Sequence, residues 1–144
     1  KNKFVFLNGV KKAIKYLNKK KYLVIVVTNQ AGIGKGFLTM TKLNEIHHYM
    51  RRELFKYNRS IVDDIYFCPY HKNATIKKFR RNSFDRKPKP GMLIKAINKW
   101  NISRSKSFMI GDQYTDFLAA ERAKIKFYFK EEISMYTQIK KIIG

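Results

Sequence analysis

An α/β fold, a Rossmann-like three-layer sandwich around a mainly parallel sheet, is what this sequence predicts, and three observations carry the prediction. Short apolar, β-branched runs alternate with segments of helical periodicity, the order that yields parallel strands joined by crossover helices. The first such run, residues 22–27, is apolar without interruption, as a strand buried on both faces is. Two strand ends run directly into polar clusters, Thr28-Asn29-Gln30 and Gly111-Asp112-Gln113, and open parallel sheets bind ligands beyond the carboxyl ends of their strands.

Each element follows from its own pattern. Val10, Ala13, Ile14 and Leu17 recur at helical spacing after Asn8-Gly9. Beyond the 22–27 strand, Thr39 or Thr41 can cap a second helix that carries Leu43, Ile46, Met50 and Leu54 on one face. Residues 65–68 predict a second strand. The polar, basic stretch 71–89 lacks periodicity and predicts a long loop. Gly91 opens a helix with Leu93, Ile97 and Trp100 on one face. A third strand at 108–110, a short helix at 117–122, a fourth strand at 125–129 and a last helix from Glu131 complete the order. With no internal repeat and no linker, residues 1–144 are expected to form a single domain, long enough to bury a real core.

Composition narrows the partners. Lys and Arg number 32 against 10 acids, a formal charge of +22. Such an excess fits nucleic acid, or a compositional drift of the whole chain. The basic residues are spread through every segment, at 11–12, 19–21, 51–52, 77–81 and 140–141. A groove for nucleic acid would concentrate them among exposed aromatics, so the scatter favours drift. No apolar run reaches the length of a membrane span, and the basic start Lys1-Asn-Lys3 has no apolar signal region behind it. The lone Cys68 predicts a reducing, cytoplasmic setting. A monomer acting on a small molecule is the expected state.

The chemistry is concentrated in three places. Gly32, Gly34 and Gly36 follow Thr28-Asn29-Gln30-Ala31, but with neither the P-loop nor the dinucleotide-binding spacing. Taken singly, Thr-Asn and Gly-Asp after a strand are also ordinary turns. A third piece, Arg86-Lys87-Pro88-Lys89-Pro90-Gly91, lies between them just before a helix. A prolyl-flanked cation, a hydroxyl at one strand end and a carboxylate at another together suit a phosphoryl group. The lysine neutralises its oxygens, the threonine donates to them, and the aspartate holds a hard cation that bridges to them.

In this order the set resembles the haloacid dehalogenase superfamily of phosphatases. It is most similar to the branch that contains D-glycero-D-manno-heptose 1,7-bisphosphate phosphatases and histidinol-phosphate phosphatases. The resemblance runs from Phe4-Val-Phe-Leu-Asn-Gly-Val10 to about Lys130. It is carried by Val27-Thr-Asn-Gln-Ala-Gly-Ile-Gly-Lys-Gly36, Cys68-Pro-Tyr-His71, Arg86-Lys-Pro-Lys-Pro-Gly-Met92 and Met109-Ile-Gly-Asp-Gln113. It implies that Thr28 hydrogen-bonds the transferring phosphoryl and that Lys87, rather than Lys89, stabilises its charge. It further implies that Asn29, Gln30 and Ala31 line the substrate and that Arg86 recognises it. Asp112 would ligate Mg2+, with Asp116 supporting that metal from behind. Gln113 stands where relatives often place a substrate-contacting lysine.

Two departures qualify the resemblance. The family's Asp-x-Asp-Gly element, holding the nucleophile and general acid, would precede Phe4. The chain is therefore expected to be an N-terminally truncated piece that lacks its first strand and is inactive alone. Relatives also often bind zinc through Cys-x-His and a later Cys-x-Cys. Here Cys68 remains, but Tyr70, Ser83 and Asp85 occupy the other positions, too few ligands for a structural zinc. The resemblance implies a magnesium-dependent phosphatase acting through an aspartyl-phosphate on heptose bisphosphate. Histidinol phosphate, a polynucleotide 3′-phosphate, or a non-catalytic basic binding role stand as alternatives.

Overall fold

In the computed structural model, residues 6–144 are described; Phe4 and Val5, where the resemblance begins, lie outside them. The elements run α1 (Val10–Lys19), β1 (Ile25–Asn29), α2 (Ala31–Gly34), α3 (Met40–Lys56), β2 (Asp64–Cys68), α4 (Gly91–Trp100), β3 (Phe108–Gly111), α5 (Tyr114–Arg122), β4 (Lys126–Phe129) and α6 (Met135–Ile143). The chain forms two compact units. One combines the chain up to Val26 with Met40–Ile65 and Glu131–Gly144; the other holds Val27–Thr39 and Tyr66–Lys130. Two of the crossings fall inside β1 and β2, so neither unit is a contiguous stretch of sequence.

The first unit is held by α1, α3 and α6. Ala13, Ile14 and Leu17 are the buried face of α1, as their spacing predicts. Ile14 joins Met50 and Leu54 of α3 and Val62 in a core that Phe6, Val10, Val24, Val26 and Ile65 extend. Helix α1 ends in a Schellman motif: Tyr22 N–H reaches Leu17 O (3.0 Å), Lys21 N–H reaches Asn18 O (3.0 Å), and Lys21 takes a φ of 67°. This wrap explains why β1 begins at Ile25 and not at Tyr22. Gly9, at φ 76°, brings the start of α1 against Ser134; a Cβ there would lie 2.9 Å from the serine's own. Ser134 caps α6 by accepting from Thr137 N–H (3.1 Å), so that helix starts at Met135 and not near Glu131.

Two two-stranded sheets are present among the described residues, β1 with β2 and β3 with β4. Asp63 N–H donates to Val24 O and Gln30 N–H to Cys68 O, both at 2.8 Å. These bonds advance together along both strands, as in a parallel pair. Strands β3 and β4 are parallel, with Phe108 opposite Lys126 and Gly111 opposite Phe129. Phe117 of α5 packs on Phe127 and Phe129, whose rings meet edge-on at 4.8 Å.

The structure adds detail in three places. The glycine stretch after Gln30 contains a turn of helix, α2, which tucks Ile33 and Gly34 inside. Helix α4 buries Met92, Ala96 and Ile97, with Trp100 only half-buried; Gly91, with the chain of Phe84 and Asp85 lying over it, sets that rotation. The 71–89 stretch is a folded loop. His71 N–H donates to Phe79 O (3.1 Å), Arg81 N–H to His71 O (3.1 Å), and Lys77–Phe79 form a 3₁₀ turn.

Candidate active site

Every residue that the sequence singles out for chemistry lies in the second unit. Thr28 and Asn29 end β1, and Ala31 opens α2 directly afterwards. The Thr28 hydroxyl receives a long bond from Gln30 Nε2 (3.4 Å). Asp112 and Gln113 follow β3, are exposed, and lead into α5.

Lys87 connects β1 with the first turn of α5. It is 9% exposed, and its ammonium donates to the Val27 carbonyl (3.2 Å) and to Asp116 Oδ1 (2.5 Å). A buried ammonium needs such partners, because leaving water without them costs several kcal/mol, in order of magnitude. Asp116 is itself 6% exposed and also accepts from Gln113 N–H (3.1 Å), which ties down the first turn of α5. Gly111 makes room for this arrangement: a Cβ there would sit 2.6 Å from Asp116 Oδ2. Lys89, two residues on, is exposed.

Asn29 has a place that its sequence context does not suggest. Its Oδ1 accepts from Lys87 N–H (3.0 Å) and its Nδ2 donates to Lys87 O (3.1 Å). The side chain expected to line a substrate is thus hydrogen-bonded to the backbone of the site lysine. Asp116, expected behind a metal, pairs with Lys87. Its position three residues after Gln113 at a helix start is capping-box spacing, a signal the sequence does contain.

The loop that carries Arg86 and Lys87 is fixed from several sides. Gly91 N–H donates to Phe84 O (2.9 Å), Lys89 N–H to Arg86 O (2.9 Å), and Arg122 Nη1 to Pro88 O (3.1 Å). Arg86 Nη1 is buried and has no hydrogen-bond partner among the described residues. Nearby, the His71 imidazole is held below its ordinary pKa by loss of hydration and then by the charges of Arg86, Lys35 and Lys72. Its Nδ1 accepts from Asn73 N–H (2.9 Å).

Around Cys68 the zinc-like positions are used differently. Cys68 is buried and outside any disulfide, and Asp85 pairs with Lys95 (2.5 Å). Arg80 closes the loop by donating to Ala74 O (2.8 Å) and Thr75 O (3.0 Å), and Arg81 stacks over Tyr70 at 3.9 Å. Among the described residues no three His, Cys, Asp or Glu side chains gather as a metal cluster, and no helix is long and apolar enough to cross a membrane.

Residues 84–129 match the model of the HAD-hydrolase-like family. The chain is 37% identical over 123 residues to the D-glycero-β-D-manno-heptose-1,7-bisphosphate 7-phosphatase of Haemophilus ducreyi, covering 85% of this chain and 67% of that protein. It is 33% identical over 135 residues to the protein of the same name from Rhodopseudomonas palustris, covering 92% of this chain and 74% of that one. Among solved structures, a B. bronchiseptica D,D-heptose 1,7-bisphosphate phosphatase complexed with magnesium and phosphate superposes with a TM-score of 0.79 at 26% identity. That match covers 97% of this chain and 73% of the other. The chain thus spans about two thirds of the length of the first of these relatives. With the strand-end hydroxyl, the buried lysine and the carboxylate in the family's order, this chain belongs to the HAD superfamily of hydrolases.

Proposed function

We propose that this protein is a magnesium-dependent phosphatase that removes the 7-phosphate of D-glycero-β-D-manno-heptose 1,7-bisphosphate. The names of its relatives support the substrate. The observation that carries the reading is the Lys87 ammonium, buried and held between Val27 O and Asp116 beside Thr28. A cation fixed in advance at low dielectric stabilises charge that develops on a phosphoryl group without reorganising at the moment of reaction.

In this reading the Thr28 hydroxyl donates to the phosphoryl oxygens and Lys87 offsets their charge. The resemblance supplies the nucleophile, an aspartate whose carboxylate attacks phosphorus as the sugar oxygen departs; water then cleaves the acyl phosphate. Asp112 suits magnesium in its donor chemistry, since it is an exposed carboxylate and Mg2+ takes one or two such oxygens while keeping several waters. When bound, the ion would polarise the phosphoryl and neutralise part of its charge. Gln30, Ala31 and Gln113 stand at the rims of the two strand ends, where a sugar would lie.

Arg86 supports a substrate with a second anionic group. Its buried, unpartnered Nη1 suits a phosphate oxygen, and it shares the surroundings of His71 with Lys35 and Lys72. The free thiol of Cys68 fits a reducing, cytoplasmic setting, and a monomer is the expected state. The test compares kcat/KM of the full-length protein for heptose 1,7-bisphosphate, histidinol phosphate and a 3′-phosphorylated oligonucleotide, with and without magnesium. Heptose bisphosphate is expected to lead by tenfold or more, about 1.4 kcal/mol. A lead for either competitor rejects the substrate, and undiminished turnover after chelation rejects the metal.

A further inference from the structure

The geometry points to Asn29 as the positioning residue for Lys87. This assignment rests on the phosphatase reading above, in which Lys87 is the residue that meets the phosphoryl group. The Asn29 carboxamide makes one bond with each side of the same residue's backbone, accepting from Lys87 N–H at 3.0 Å and donating to Lys87 O at 3.1 Å. It therefore pairs with the lysine as a neighbouring strand would, and neither an acid nor an aliphatic side chain offers both a donor and an acceptor.

The rest of the environment makes that pairing consequential. Pro88 and Pro90 have no N–H to donate, and the bonds that fix the rest of the loop fall on Phe84, Arg86 and Pro88, so the backbone of Lys87 itself is held by Asn29. The Lys87 side chain returns to the same strand and donates to Val27 O, two residues before Asn29. Backbone and ammonium are thus both referenced to the last three residues of β1, with Thr28 between the two contacts. Asn29 couples the position of the cation to that of the hydroxyl. A cation displaced by about 1 Å from a transferring group can lose on the order of 100-fold in rate.

A substrate-lining role, which the resemblance assigns to the same residue, makes different demands. A lining side chain binds the sugar, so its loss raises KM and shifts the choice among substrates. A positioning side chain acts only through Lys87, so its loss lowers kcat and disappears when Lys87 is gone. The experiment is a double-mutant cycle in the full-length protein: wild type, Asn29→Ala, Lys87→Ala and both, measured with heptose 1,7-bisphosphate. Asn29→Ala is expected to lower kcat about 10- to 100-fold with KM changed less than about threefold. In the Lys87→Ala background it should cost less than about threefold more.

Should Asn29→Ala fail to fold, Asn29→Asp carries the same cycle, because it keeps the acceptor for Lys87 N–H and loses the donor to Lys87 O. Losses that multiply across the cycle overturn the positioning role and leave the phosphatase reading standing. A raised KM with kcat unchanged also overturns it, in favour of substrate lining. Wild-type turnover in Lys87→Ala overturns the phosphatase reading itself, and the positioning role with it.

Discussion

A lysine ammonium taken out of water persists only where the protein supplies acceptors for its hydrogen bonds, and Lys87 donates two, to Val27 O and to Asp116. Lys89 has the same charge two residues away but stays in solvent, where an ion is screened and moves freely. The two lysines should therefore separate cleanly on substitution. Lys87→Ala is expected to lower kcat/KM of the full-length protein by about 3 kcal/mol or more, and Lys89→Ala by only a few tenths. Lys87→Ala also strands the buried Asp116 carboxylate, so thermal melting must accompany the kinetics. Equal losses from two folded variants would reject the assignment.

At the scale of elements, the glycine-punctuated stretch after β1 separates into positions with different constraints. A Cβ on Gly34 would meet Ala74 Cβ at 2.9 Å and Pro69 O at 3.0 Å, where α2 packs under the 69–79 loop; Ile76 N–H donates to Gly34 O there at 2.8 Å. A Cβ on Gly32 would find its nearest neighbour at 3.8 Å, an ordinary contact. Gly34→Ala is therefore expected to cost about 1–3 kcal/mol by overpacking. Gly32→Ala should be neutral, or stabilising by about 0.5 kcal/mol, because alanine favours helix over glycine. Chemical denaturation of the two variants checks this, and a Gly32→Ala variant weaker than Gly34→Ala would reject the packing of α2. The loop above it is closed by Arg80, which donates to Ala74 O and Thr75 O, together with backbone bonds between His71 and residues 79–81.

For the whole molecule the outstanding quantity is its charge, +22 over 144 residues. Lysines scattered over the surface attract polyanions, but through contacts that displaced counterions drive and added salt abolishes. The site's charges act over a few ångströms in a partly buried setting, where bulk ions screen weakly. Raising salt from about 50 to 200 mM should thus weaken DNA binding by orders of magnitude while sugar bisphosphate hydrolysis falls only modestly. Filter binding and phosphate release, measured on one preparation, test the two limbs together. DNA binding that survives the salt series would mark a built nucleic-acid surface and reject compositional drift.

Helix and strand order, the two polar strand ends and the Arg86-Lys87 loop were legible in the sequence because each is a property of neighbouring residues. An apolar run declares a strand, a 3.6-residue period declares a helix, and the end of each is written in the next few positions. The Schellman wrap that delays β1 and the serine cap that delays α6 are local too, but they shift boundaries that periodicity alone blurs. What only the tertiary structure decided are the contacts that span the chain. Asn29 meets Lys87 across 58 positions, and Lys87 meets Asp116 across 29. The sequence shows an asparagine, a lysine and an aspartate, each able to pair with many partners or with water. Which groups meet is set where the end of β1, the loop that carries Lys87 and the first turn of α5 come together in the second unit. Burial then makes those pairings obligatory, since an unpaired charge in the interior costs more than the fold can spare.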